Sequence, residues 1–232
     1  MEFPQKPLSI RQQVIFTGLL MLALFAVYEV SLFVYGTLPL VQAGLKLVLS
    51  AIAVVTCFFG YRSHRTYFTE FLLIALAVFL VADTVIALHF IAGTIVFAAG
   101  HLLLTILYLQ KCRPTKRDIL IWALFTGVMT AALLLIRPAA GSVYTSLPLR
   151  ILAICYLAVM AAMVISARRV SRWVFVGSLL FGISDVLLII NLAMGWSEVI
   201  GAVSLAVYYT GITFIAYANR AALPGDDTLH RE

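Results

Sequence analysis

The sequence predicts an all-α integral membrane protein of eight transmembrane helices. Three observations carry that prediction. Of 232 residues, 63% are hydrophobic and 11% charged, against roughly half and a quarter in a soluble domain. The apolar residues fall into runs close to the roughly 20 residues that cross a bilayer. The basic residues gather in alternate connections, which is the bias that orients membrane helices. Little sequence remains for a soluble domain. The net charge of +6 comes from these connections, so it belongs to membrane orientation and not to nucleic-acid binding.

The first span, 14–34, follows Lys6 and Arg11 as a signal peptide would. It lacks an A-x-A cleavage site, contains Glu29 and runs straight into the next span, so it is read as retained. The second, 38–59, opens beside Gly36 and Pro39, carries Lys46 and ends at Gly60. The third, 68–90, follows Arg62 and Arg65 and carries Asp83. Gly93 marks the turn into the fourth, 92–110, which carries His101. A basic connection with Pro114 leads to the fifth, 118–136, and Pro138 and Gly141 lead on to the sixth, 148–167, with Tyr156. The seventh, 172–193, carries Asp185; Gly195 turns the chain into the eighth, 198–218, with Tyr208. A membrane domain over 14–218 is thus expected between short tails at 1–13 and 219–232.

Alternating these spans puts Lys6, Arg11, Arg62, Arg65, Lys111, Arg113, Lys116, Arg117, Arg168, Arg169, Arg172, Arg220 and Arg231 on one side. Only Arg137 and Arg150 fall on the other, and Lys46 is within a span. Both termini are therefore expected in the cytoplasm. The expected location is a multi-pass position in a bacterial cytoplasmic (inner) membrane.

Asp83 and Asp185 are each the single acid of a long apolar run. A carboxylate at membrane depth costs roughly 2.5–3.5 kcal/mol on insertion scales, so two of them call for a chemical reason. At 1.5 Å per residue, Glu29, Asp83 and Asp185 come out roughly 20–24 Å above the cytoplasmic side. Lys46, His101 and Tyr156 come out at roughly 17–18 Å and Tyr208 near about 15 Å. Polar groups from different spans thus share one layer. Faces agree with depth. Gln42, Ala43, Lys46, Ser50 and Ala53 form one stripe on the second span, and Thr94, Ala98, His101, Thr105 and Tyr108 another on the fourth. Ser178 and Gly182 flank Asp185, while Gly201, Ser204 and Gly211 flank Tyr208; small residues of this kind let membrane helices approach.

Plainer readings stand beside these. Lys46 serves simply to neutralise an aspartate, Glu29 reaches outer water, His101 hydrogen-bonds a neighbour, and Tyr156 and Tyr208 pack. His89 and Asn191 read as interfacial. Cys57, Cys112 and Cys155 show no C-x-x-C pair or metal spacing and read as apolar filler, with Cys112 a weak candidate for acylation at the cytoplasmic surface. One His and scattered acids do not make a catalytic zinc site, which takes three protein ligands.

An internal repeat treats the aspartates as equivalents. Phe79-x3-Asp83-x9-Gly93 recurs as Phe181-x3-Asp185-x9-Gly195. Both helices run outward, and both glycines are expected in the following turn. Two parallel four-helix halves follow, with a site at their interface.

The same residues resemble the YhhN-like lysoplasmalogenase family of eight-span membrane proteins. The likeness runs from Lys46 to Tyr209. It rests on Asp83 followed by Phe90-x2-Gly93-x3-Phe97 and His101, on Tyr156, Met163 and Ala167, and on Gly177, Phe181, Ser184-Asp185 and Tyr208-Tyr209. Leu47, Ala82, Leu104 and Ile212 stand where the family has Pro, Gly, Tyr and Gln, which marks a divergent member. The resemblance implies hydrolysis of the vinyl ether of a lysoplasmalogen to a fatty aldehyde and a glycerophospho-ethanolamine or -choline. That chemistry needs one protonated carboxyl to protonate the alkene and one carboxylate to stabilise the oxocarbenium ion or activate water. Asp83 and Asp185 are the expected catalytic pair, with their roles left open. Lys46, His101, Glu29, Tyr156, Tyr208 and Ser184 are the expected supporting or substrate-binding residues. The implied partners are a lysophospholipid from the bilayer and water; no cofactor, metal or nucleic acid is implied, and a homo-oligomer is left open. A rival class is a small-solute or proton-coupled transporter, since buried acids with a lysine also mark transport pathways; no span carries the mid-membrane Gly-Pro break of a discontinuous transport helix.

Overall fold

In the computed structural model the described residues are 10–35, 39–63, 65–135, 138, 142–195 and 197–221, with side chains 10–16, 31–35, 39, 63, 143 and 218–221 set aside. Gly36, Arg137, Gly141, Lys6 and Arg231 lie outside them. Among these residues the chain is all-helical: α1 Ile10–Tyr35, α2 Pro39–Ser63, α3 Tyr67–Leu88, α4 Phe90–Lys111, α5 Lys116–Leu135, α6 Leu147–Ala167, α7 Arg172–Met194 and α8 Glu198–Ala221. A 3-10 turn, Val143–Thr145, precedes α6. Seven of the helices, α2 to α8, are long and apolar enough to cross a membrane; the described apolar stretch of α1 is Thr17–Val30.

The helix ends follow local chemistry. Thr66 caps α3 and Ser171 caps α7, each accepting from a backbone N–H of the first turn. Gly195, at φ 94°, ends α7 in a conformation that side chains resist. Pro148 sits in the first turn of α6, where its missing N–H costs nothing.

Several expectations need correction. Gly60 lies within α2, and α1 and α8 reach into the expected tails. Gly93 is inside α4, not in the turn, which falls at His89. A Cβ on Gly93 would come within 2.3 Å of the Ile86 backbone, so the glycine serves the tight α3–α4 approach. His89 is exposed and caps α4, its Nδ1 accepting from Ala92 N at 3.2 Å. Asn191 is fully buried and not interfacial: its amide donates to Ser197 O at 3.1 Å and accepts from Ser197 N at 2.8 Å. It staples the α7–α8 turn.

Packing is closest between α7 and α8, α2 and α3, and α3 and α4. Gly177 and Gly211 face each other at the α7–α8 crossing. A Cβ on Gly177 would meet Gly211 O at 2.8 Å, and one on Gly211 would meet Gly177 O at 2.7 Å. α4 also packs on α6 and α8 on α2. Among the described residues α5 packs on α6 alone, held by Trp122 Nε1 donating to Ala158 O at 2.8 Å. At the end bearing the basic connections, Asp118 accepts from Thr115 N at 2.9 Å and pairs with Arg169 Nε at 2.7 Å. This pair ties the α4–α5 connection to the end of α6.

Candidate functional site

At the opposite end, where α1 meets α2, α3 meets α4 and α7 meets α8, the bundle encloses a cavity of about 950 Å³. Every helix except α5 contributes to its described lining. Helical periodicity explains the polar lining: Gln42 and Lys46 lie one turn apart on α2, and Gly201, Ser204, Leu205 and Tyr208 share a face of α8. Apolar wall comes from Ile86, Phe90, Leu152, Leu188 and Leu192, among others.

Asp83 is buried on α3 at 2% exposure. Tyr208 donates its hydroxyl to Asp83 Oδ2 at 2.7 Å, and Ser50 of α2 donates to the same oxygen. Tyr209 turns its hydroxyl toward Ser50 without an aligned hydrogen bond. Lys46 feels the charge of Asp83 but makes no ion pair with it, so the expected neutralising contact is electrostatic and not direct.

Asp185 is buried on α7 at 6% exposure. Its Oδ2 lies 3.0 Å from His101 Nε2, yet no aligned hydrogen bond reaches that oxygen among the described residues. His101 Nε2 is instead in line with Tyr156 OH at 2.9 Å, and Tyr156 also presents its hydroxyl to Asp185. On the other side of the ring, His101 Nδ1 lies 3.2 Å from the Met163 sulfur. A thioether accepts and never donates, so this contact suits the tautomer with its proton on Nδ1. In the neutral ring Nε2 is then a bare acceptor facing both Tyr156 and Asp185.

The two aspartates have matching surroundings. Each meets a hydroxyl from the preceding helix, Ser50 of α2 or Tyr156 of α6. Each also meets a ring from the last helix of the other half of the chain, Tyr208 of α8 or His101 of α4. Phe79 and Phe181, one turn below, pack on each other at 4.8 Å. Residues related by the sequence repeat therefore touch. Phe97 closes the same aromatic floor, 5.9 Å from Tyr208.

Of the remaining expected site residues, Glu29 and Ser184 line the cavity, and Ser184 accepts from Ser204 through its backbone carbonyl at 2.8 Å. Thr94 lines the wall, while Tyr108 lies deeper, 3.4 Å from Ser178 Oγ. Cys57 is buried, Cys155 exposed, and Cys112 donates to Arg169 O at 3.1 Å. Sequence reasoning gave no role to Ser50, Tyr28, Tyr144 or Glu198. Ser50 was visible as the residue one turn after Lys46. Tyr144 sits in a connection, and no periodicity points to it. Burial pushes its phenol up to about 12, so at neutral pH it is an uncharged hydrogen-bonding wall. Among the described residues, no three His, Cys, Asp or Glu side chains converge as metal ligands would.

Comparison with curated proteins and with solved structures gave no match. The model of the YhhN family matches residues 39–219, a stretch that holds all of α2 to α7, most of α8, and both aspartates with their partners. The chain belongs to the YhhN family.

Proposed function

We propose that this protein is an intramembrane hydrolase that cleaves the vinyl-ether bond of a lysoplasmalogen, releasing a fatty aldehyde and the glycerophospho-amine. The observation that carries this reading is the pair of aspartates facing one cavity with unlike neighbours. Family membership adds weight, because the family suggests a lysoplasmalogenase-type role.

The contacts of each carboxyl support a division of roles. Asp83 accepts two O–H donors and has the Lys46 cation nearby, the surroundings of an ionised acceptor. The facing oxygen of Asp185 lies 3.0 Å from His101 Nε2 but accepts no aligned hydrogen bond among the described residues, which makes it the better placed of the two to carry the proton. Asp185, backed by His101, then transfers its proton to the outer alkene carbon. Positive charge develops on the ether oxygen and its neighbouring carbon, and the Asp83 carboxylate stabilises it. Water adds to that carbon as a carboxylate takes its proton. The resulting hemiacetal collapses to aldehyde and alcohol, with the proton inventory of the pair restored. The apolar wall suits an alkenyl chain. The helices that carry the pair, α3 and α7, run unbroken past it, unlike the discontinuous helices of many transporters.

The test is direct. Purified protein is incubated with a lysoplasmalogen and with its saturated ether analogue, and aldehyde is measured. Aldehyde from the first alone is expected. No aldehyde from either, with a folded protein, sinks the proposal.

A further inference from the structure

The cavity carries charged groups with no direct partner among the described residues. Lys46 lines its wall one turn from Ser50 and makes no hydrogen bond or ion pair among the described residues, sensing Asp83 only at a distance. The contacting oxygen of Asp83 is already taken by Ser50 and Tyr208. The ammonium donors of Lys46 are thus left to whatever fills the cavity. Glu29 of α1 and Glu198 of α8 also line the cavity, close enough to feel each other's charge. Neither contacts a Lys or Arg among the described residues. Two carboxylates lining one cavity within range of each other's charge favour a cation between them.

One cavity therefore holds an unmatched cation and, separately, an unmatched pair of anions. The complement is a ligand with one anionic and one cationic group. We propose that Lys46 binds the phosphodiester of the lysolipid headgroup and that Glu29 with Glu198 binds its amine. The site then selects amine-bearing zwitterionic headgroups over neutral or acidic ones. This rests on the lysolipid reading above and makes Lys46, Glu29 and Glu198 specificity residues. The order also suits the molecule: the ether meets the aspartates, the phosphate lies across the glycerol, and the amine is farthest out, near Glu198 at the first residue of α8.

The experiment uses saturated ether lysolipids, which bind but cannot react, so that binding is read apart from turnover. Ethanolamine, choline and glycerol headgroups, and an alkylglycerol without phosphate, compete against a radiolabelled ether lysolipid on the purified full chain. Both amine headgroups should bind at least about tenfold more tightly than the glycerol headgroup, the scale of one charge-assisted contact. Glu29→Gln should shrink that preference, and Glu198→Lys should reverse it. The latter is at an exposed helix start, where a folded variant is expected. Lys46→Met should weaken every phosphate-bearing competitor and leave the alkylglycerol unchanged, with Lys46→Arg restoring the difference. Equal affinity for all headgroups in the wild type, or an unchanged preference in Glu198→Lys, overturns the proposal. Headgroup selectivity without aldehyde release would defeat the proposed reaction and keep this subsite; aldehyde release without selectivity would do the reverse.

Discussion

Asp83 accepts two hydroxyl donors while the facing oxygen of Asp185 accepts no aligned hydrogen bond among the described residues, and the need for each carboxyl is testable at the level of single atoms. Asparagine keeps the size of each side chain but can neither deliver nor accept the proton. Asp83→Asn and Asp185→Asn should each leave a folded protein and lower turnover by at least about a hundredfold, the low end for a lost general acid or base. The double variant should be little worse than either single one, because both groups serve one step. Near-normal turnover in either variant would remove the two-carboxylate mechanism. Each Asp was visible in the sequence as a lone acid in an apolar run. Its partner was not: Ser50 lies 33 positions from Asp83, and Tyr208 lies 125 away.

At the scale of the helices, the cavity depends on how closely α7 and α8 cross. That closeness comes from Gly177 and Gly211, each of whose added Cβ would strike the other's carbonyl oxygen. Backbone cannot swing aside as a side chain can. Gly211→Ala should therefore destabilise by about 1–3 kcal/mol, the range for an overpacked site. It should lower the temperature at which the detergent-solubilised protein loses its monodisperse chromatographic peak. Gly127 on α5 is the control, since its added Cβ would meet nothing within 4 Å. Gly127→Ala should hold or raise that temperature, as alanine is the better helix former by up to about 1 kcal/mol. Equal losses in the two variants would show that helix propensity, not the crossing, sets the effect. Composition marks both residues alike as glycine in an apolar run; only the crossing tells them apart.

At the scale of the whole molecule, the basic connections and the cavity fall at opposite ends of the bundle. The charge bias predicts cytoplasmic termini, and with them a cavity toward the outer leaflet. A cysteine at Ser142 should react with an impermeant maleimide from outside the cell, and one at Thr115 only after the membrane is opened. Each is made in a background without Cys57, Cys112 and Cys155. The reverse pattern would invert the orientation and with it the leaflet that the cavity faces. The contacts of α4 with α6 and of α8 with α2 are those that two parallel halves related by a two-fold axis would make. Among the described residues the α1–α8 contact has no α4–α5 counterpart, so α5 departs from that symmetry.

The sequence by itself determined the class of this protein, its helices to within a few residues at most ends, and the polar layer that became the cavity. Those features are local: a run of apolar residues, a stripe at helical spacing, a lone charge whose burial is costly. The family was legible for the same reason, since its signatures are short spacings within helices. Only the tertiary structure decided which groups meet. It set Lys46 beside Asp83 without an ion pair, moved Asn191 from the interface into a buried turn, placed Gly93 inside a helix, and brought Glu198 to Glu29. Each of those outcomes depends on how helices distant in sequence approach one another. That approach is fixed by backbone contacts such as Gly177 against Gly211, whose energy appears only once both helices are in place.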